Sequence, residues 1–278
     1  MTRRSALAAA SKRLMLSEAS DAQLDALLML AHVCGIGRVS LSVSLDEPMT
    51  AEECARYEAF VQLRESGMPL QYVLSEAYFM GHTFFVDARV LIPRWDTELL
   101  CEAAIARIGA SAVRVLDIGT GSGALAISIS LACPNAEVFA LDYSADALRV
   151  AERNAQALGA RVHLIQSDLY ASLAEERFHV IVSNPPYIPT GVLPSLQKEV
   201  QKEPMLALDG GTDGLSFYRR IIAELPQHLL PGGSLLLETG TGQASAVAAR
   251  LEGLFQFITI ERDLNHLERA VIGDQYAG

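Results

Sequence analysis

The stretch IVSNPPYIPT, residues 181–190, ends a β-prone apolar run on an amide, two prolines and a phenol. Each proline disfavours the helical region for the residue before it, so the segment after Ser183 is stiff and extended. Pro185 and Pro186 also lack a backbone N–H. What remains is rich in acceptors, the Asn184 side-chain oxygen and the Pro185 carbonyl, with few donors beside them. Two fixed acceptors suit a planar NH2 group: each takes one N–H, which locates the nitrogen and aims it. Such nitrogens are poor nucleophiles because their lone pair is delocalised. Acceptors on both hydrogens draw off the positive charge that grows as the nitrogen attacks. Holding the nitrogen in line with a methyl carbon supplies the rest. Tyr187 offers a flat face to the same planar group. The bland alternative is that the prolines merely end a strand.

A second candidate is the turn DIGTGSGA, which follows the apolar strand VRVLDI. Gly119, Gly121 and Gly123 let the backbone turn tightly and approach a ligand. The next strand ends at Asp142, 23 residues after Gly119. A carboxylate there can take both hydroxyls of a ribose. The pattern also satisfies the looser dinucleotide signature, so NAD and S-adenosylmethionine have to be separated. Asp117, just ahead of the glycines, favours the second. A pyrophosphate loop gains nothing from a carboxylate, whereas a sulfonium or ammonium does. Asp168, in IQSDLY at the end of a third strand, is placed either to accept from an adenine amino group or to cap a turn.

These residues need a scaffold. From residue 95 onward apolar strands alternate with helices, which means a mainly parallel sheet covered on both faces. The expected strands are 113–118, 137–142, 161–166, 179–184, 233–238, 257–261 and 269–273. The helices between them are 96–109, 123–133, 144–159, 214–229 and 242–253. Ligands bind at the carboxyl ends of such strands, where Gly119, Asp142 and Asn184 all fall. Earlier in the chain, helical spacing covers 4–16, 21–34 and 51–65. Asp21 and Thr50 are the expected N-caps, and Glu53 completes a capping box with Thr50. Residues 69–94 alternate like strands, with a turn at Gly81 and His82, and read as a β-hairpin bridge. The expected division is 1–68 helical, 69–94 bridge and 95–278 α/β.

Composition narrows the classes. Half of the 278 residues are hydrophobic and the formal net charge is -11, which suits a well-buried protein and argues against one gripping a long phosphate backbone. Cys34, Cys54, Cys101 and Cys133 include no Cys-x-x-Cys pair and read as reduced thiols of a cytoplasmic protein. The six histidines are scattered without metal-ligand spacing, so no metal is expected. No apolar run is long enough to span a membrane. Arg94 and Glu98 either line the site in a folded bridge or, in the blander reading, form an ion pair at a helix start.

The sequence resembles the N5-glutamine methyltransferases of the HemK/PrmC type, which methylate peptide chain release factors. The segments that carry the resemblance are PLQYVLSEAYFMGHTFFVDARVLIPRWDTELL at 69–100, VLDIGTGSGALAISI, NPPYI, EPMLALDGGTDGL at 203–215 and RDLNHLERAVIG. The resemblance implies a Rossmann-like, seven-stranded class I methyltransferase sheet with a small N-terminal helical domain. It implies that Gly119, Thr120, Gly121, Ser122, Gly123 and Asp142 bind S-adenosylmethionine, with Leu169 by the adenine and Asn184 near the cofactor. Asn184, Pro185, Pro186 and Tyr187 would bind the glutamine of a Gly-Gly-Gln loop, and the helical domain would help dock the release factor. We expect a cytoplasmic monomer with no membrane or direct nucleic-acid partner. Three positions depart from the family's pattern: Trp95 where proline is usual, Leu169 where an aromatic is common, and LETG at 237–240. NPPY alone is shared with nucleic-acid amino-group methyltransferases, which would need a basic face or an inserted recognition domain. A non-catalytic relative and a dehydrogenase are the other readings.

Overall fold

A computed structural model describes residues 1–17 and 21–278. The chain divides into two compact units, residues 1–76 with 197–202, and 77–196 with 203–278.

The first unit is helical: α1 (Arg3–Leu16), α2 (Ala22–Cys34), α3 (Arg38–Val43), α4 (Ala51–Glu65) and α5 (Leu70–Leu74). Leu14, Met29, Leu30, Leu41 and Val61 form its core. The capping box is present: Glu53 N–H donates to Thr50 Oγ1 at 3.1 Å and Thr50 N–H to Glu53 Oε2 at 2.7 Å. Asp21, expected to cap α2, makes no side-chain cap bond, because its backbone at φ -140° and ψ 53° is not the extended conformation that aims a capping side chain. Helix α5 replaces strand where alternation was read. Its adjacent residues Tyr72 and Val73 are both buried, which a strand with alternating faces does not allow on one core. Arg64 is 2% exposed and donates to Asp25 Oδ2 at 2.7 Å and to Glu199 Oε1 at 2.6 Å. Arg64 and Asp25 are thus a buried pair, completed by the half-buried Glu199, and the two buried members need one another.

The second unit opens with a hairpin, β1 (Ala77–Phe79) and β2 (His82–Phe84), turning at Gly81 with φ +77°. Then follow α6 (Trp95–Ile108), β3 (Arg114–Ile118), α7 (Ala124–Ala132), β4 (Glu137–Asp142), α8 (Ala145–Leu158), β5 (Val162–Gln166) and β6 (Phe178–Ser183). The unit closes with α9 (Ser216–His228), β7 (Leu229–Glu238), α10 (Ala244–Leu251), β8 (Phe255–Arg262) and β9 (Glu268–Tyr276). The sheet order is β5-β4-β3-β6-β7-β9-β8. Strands β3 to β7 run parallel, and β9 lies antiparallel between β7 and β8. This is the Rossmann-like seven-stranded sheet that the alternation and the resemblance implied.

Alternation along β3 explains the two cores. Leu116 and Ile118 face one side with Tyr218, Ile221 and Leu225 of α9 and Val247 of α10. Val115 faces the other with Leu100 and Ala104 of α6 and Ile127 and Ile129 of α7. Helix α8 stops at Gly159, in the left-handed conformation at φ +69°. No helix among the described residues is long and apolar enough to cross a membrane.

Candidate active site

Register builds the site. Ile118 of β3 pairs with Ser183 of β6, which pairs with Leu237 of β7. Gly119, Asn184 and Glu238, each one residue further on, therefore stand in a row at the carboxyl ends of three neighbouring strands. A cavity of about 380 Å³ opens in front of part of this row, within the range of small-molecule sites. Its wall includes Gly119, Gly121, Asp142, Asp168, Leu169, Asn184, Pro185 and Pro186. Arg89, Leu206, Phe217 and Arg220 join it.

The glycines serve different ends. A Cβ on Gly119 or Gly121 would meet nothing within 4 Å, so both leave open space at the turn beside the cavity. A Cβ on Gly123 would lie 2.7 Å from Ile127 Cδ1 and 3.2 Å from Ala151 Cβ, so this glycine lets α7 and α8 pack. Thr120 and Ser122 are buried behind the turn. Asp142 accepts Gly121 N–H and Ser144 N–H, each at 2.8 Å, on different carboxylate oxygens. Burial raises its pKa despite these bonds. Each oxygen keeps a second lone pair, and a vicinal diol presents two donors. The open glycine turn, the two-oxygen acceptor and an adjoining apolar wall of Ile118, Leu141, Leu169 and Phe217 fit the carboxylate-bound ribose and flat base of S-adenosylmethionine. Asp168 pairs with Arg220 at 2.9 Å, so its carboxylate is shared with a guanidinium. Leu169 is buried at φ +51°.

Asp117 corrects an expectation. It was read as the counter-charge of a cationic ligand, but it does not reach the cavity. It lies on the α6–α7 side of β3, fully buried, and accepts from Thr120 Oγ1 at 2.7 Å. Burial pushes its carboxyl up to about 7, and Oδ1 has no hydrogen-bond partner.

Asn184 donates its side-chain NH2 to Thr97 Oγ1 at 3.1 Å, which commits that end of the amide and turns the oxygen into the end available to a substrate. Tyr187 is not on the cavity wall. It packs against the core that holds Tyr218 and Leu237, and burial, then the nearby Glu238 carboxylate, raise its phenol above the usual range. The backbone of this segment is clamped. Gln243 Nε2 donates to the Tyr187 carbonyl at 2.8 Å. Ile188 N–H donates to Leu208 O at 3.0 Å and Gly210 N–H returns to Ile188 O at 2.8 Å. A Cβ on Gly210 would sit 2.8 Å from Pro186 O and Tyr187 Cα, and one on Gly214 would sit 2.3 Å from Tyr187 O. Gly210 and Gly214 of DGGTDG let this loop lie flat against Pro186 and Tyr187.

Sequence reasoning missed Thr97, Glu238, Gln243 and Glu203. It also mispaired Arg94, which forms an ion pair with Glu203, 109 residues away, rather than with Glu98. Glu203 accepts Ile92 N–H as well, at 3.1 Å. Glu98 instead accepts Met80 N–H at 2.6 Å and pins the hairpin turn. Their signal lay in the motifs themselves: Thr97 sits in IPRWDTELL, and Glu203 opens EPMLAL.

Residues 5–74 match the PrmC N-terminal domain and residues 96–199 the Methyltransferase small domain. The release factor glutamine methyltransferase of Geobacter sulfurreducens is 43% identical over 91% of this chain and 89% of its own length. That of Bordetella pertussis is 43% identical over 92% and 96%. The chain belongs to the release factor glutamine methyltransferase family. Among solved structures, the Thermus thermophilus 16S rRNA N2 G1207 methyltransferase is similar with a TM-score of 0.53 at 21% identity, covering 72% of this chain and 49% of its own. The hMettl16 catalytic domain is similar with a TM-score of 0.56 at 15% identity, covering 81% and 82%. These likenesses concern the fold, that of class I methyltransferases.

Proposed function

We propose that this chain transfers a methyl group from S-adenosylmethionine to the side-chain amide nitrogen of the glutamine in the Gly-Gly-Gln loop of peptide chain release factors. The observation that carries the reading is the fixed Asn184 amide, whose NH2 is committed to Thr97 beside a cavity shaped for a nucleoside. Family membership supplies the substrate class.

S-adenosylmethionine, when bound, supplies an electrophilic methyl carbon. The protein's own residues do the rest. Gly119 and Gly121 leave room for the bound molecule, Asp142 accepts from its ribose, and Leu169 and Asp168 lie by its base. Asn184 Oδ1 and the Pro185 carbonyl accept the two N–H groups of the glutamine carboxamide. They fix the nitrogen and stabilise the positive charge that develops on it. Pro186 keeps the segment extended, and Gln243 holds the Tyr187 carbonyl behind it. The rigid prolines and the glycine clamp behind them mean that little reorganisation accompanies attack. No strong base is needed, because an alkylated amide nitrogen gives up its extra proton readily. The helical unit docks the release factor, and the protein works as a cytoplasmic monomer without a membrane or direct nucleic-acid partner.

The test is mass spectrometry of unmodified release factor after incubation with this protein and S-adenosylmethionine. The expected outcome is a gain of one methyl group on the Gly-Gly-Gln glutamine. Bound cofactor with no methyl gain on that residue would overturn the substrate assignment.

A further inference from the structure

We propose that Asn154 of α8 is a positioning residue for the cofactor: it ties the glycine turn to the segment that follows the hairpin, and so sets the opening into which S-adenosylmethionine fits. This goes beyond the function proposed above. It rests on the cofactor and not on the acceptor.

The residue stands out by its type. Helix α8 buries Ala147, Val150, Ala151, Asn154 and Ala155, and Asn154 is the one polar side chain in that set. It is 2% exposed. A buried amide needs partners for its oxygen and for two N–H groups, and here they come from two separate segments. Asn154 Oδ1 accepts Phe85 N–H at 2.7 Å, and Nδ2 donates to Phe85 O at 3.0 Å. The amide thus pairs with Phe85 as a residue of a neighbouring strand would. Nδ2 also donates to Ser122 O at 2.8 Å. Both N–H groups and the oxygen are then in use.

The two segments joined in this way both supply cavity wall. Gly119 and Gly121 stand on one, and Arg89, Val90 and Leu91 on the other. The glycine turn is held from two sides, Gly121 N–H by Asp142 and Ser122 O by Asn154. The route from Phe85 to the wall is short and fixed. Arg89 N–H donates to Asp87 Oδ1 at 3.1 Å and Val90 N–H to Asp87 O at 3.1 Å. Glu203 anchors the far end by accepting Ile92 N–H. Arg153, next to Asn154 on α8, lays its guanidinium 3.4 Å from the centre of the Phe85 ring. Asn154 itself is not on the cavity wall, so it acts on a ligand only through the backbone groups it holds. Walls fixed before binding spare the complex the entropy of ordering them. Without the Asn154 amide, the turn and the segment after the hairpin are no longer joined, and ordering them falls to the binding step.

The experiment measures S-adenosylhomocysteine binding by calorimetry to full-length wild type, N154A and N154D, with a melting temperature for each. N154D keeps an acceptor for Phe85 N–H and lacks the donor to Ser122 O. Leu251→Ala, which truncates a fully buried side chain of α10, controls for lost stability alone. The assignment is upheld if N154A and N154D each lose roughly 10-fold or more in affinity while Leu251→Ala, with its melting temperature lowered, binds within a few fold of wild type. It is overturned if either Asn154 variant binds like wild type, or if Leu251→Ala loses as much affinity as they do. With release factor as acceptor, N154D should raise KM for S-adenosylmethionine and leave kcat within a few fold, because Thr97 and Gln243 hold the acceptor side independently. A fall in kcat with KM unchanged would overturn the assignment. Hydrogen exchange on the wild type decides the matter even where the variants fail to fold. S-adenosylhomocysteine should slow exchange in residues 85–91 together with 119–123, and protection confined to the glycine turn would sink the proposal. The binding and exchange readouts need no release factor, so a failure of the proposed methyl transfer is told apart from a failure here.

Discussion

The Gly121 backbone N–H donates to Asp142 Oδ2 across 2.8 Å, which joins the Gly119 and Thr120 N–H bonds to Leu141 O in tying the turn after β3 to the end of β4, while the acceptor stays usable. Asp142 thus orders the glycine turn and also offers its remaining lone pairs to a ribose. Removing it costs both roles. Asp142→Ala is expected to weaken S-adenosylhomocysteine binding by about 10- to 100-fold, the worth of one or two charge-assisted hydrogen bonds. Asp142→Asn, which keeps one acceptor, should fall between. Calorimetry is the measurement, and an unchanged affinity in Asp142→Ala would remove this residue from the site.

Gly210 separates substrate positioning from cofactor binding. Its Cβ would press on backbone atoms of Pro186 and Tyr187 at 2.8 Å, and backbone cannot swing away as a side-chain tip can. Gly210→Ala is therefore expected to displace the acceptor segment by a fraction of an ångström to an ångström. Displacement on that scale lowers the rate of an aligned reaction by roughly 10²-fold. Cofactor affinity should stay within a few fold, since Gly210 is not on the cavity wall. A full methyl-transfer rate in Gly210→Ala would show that the clamp is not needed.

Asp142 and Asn184 illustrate what the sequence made legible. Asp142 ends an apolar strand and Asn184 follows one directly, and a parallel sheet turns such strand ends into neighbours, so reading along the chain sufficed. Gln243 reaches Tyr187 from 56 residues away, and Thr97 reaches Asn184 from 87. Contacts of that kind follow from strand order and helix docking, which periodicity does not specify. Asp117 was misplaced for a different reason. Side chains alternate along a strand, and with Leu116 and Ile118 on the cavity side of β3, Asp117 had to point the other way. The helix α5 was hidden because five residues carry too few periods to separate 3.6 from 2.

Trp95, which departs from the family's usual proline, turns out to occupy a position built for one. It is the first residue of α6, and Arg94 before it is extended at φ -103° and ψ 147°, the conformation that a following proline requires. The indole is 76% exposed, so little packing is lost with it. Proline at the first helical position is compatible with the missing N–H and lowers the entropy of the unfolded chain. Trp95→Pro is expected to stabilise the protein by about 0.4–1 kcal/mol, read as a rise of roughly 1–4 °C in melting temperature. A lower melting temperature would mean that the exposed indole has a role in the fold that its surroundings do not reveal.

Two buried carboxyls give stability a pH dependence of unusual sign. Burial pushes Asp117 and Glu238 up to about 7, from 3.8 and 4.5 in the absence of structure. Between those limits the folded protein holds protons that the unfolded chain has released. Stability is therefore fully present below the unfolded values and is lost as pH rises toward the folded ones. Each group contributes a slope of up to about 1.4 kcal/mol per pH unit inside that window. Carboxylates whose pKa is lowered by partners, such as Asp213 at about 2, act in the opposite direction but only at more acid pH. The melting temperature is accordingly expected to fall as pH rises from about 5 to 7.5 and to level off beyond. Replacing Glu238 by Gln removes one of the raised groups and should make the slope shallower. Scanning calorimetry across that range measures it, and a melting temperature that climbs over the same interval would mean that neither carboxyl is held neutral in the folded protein.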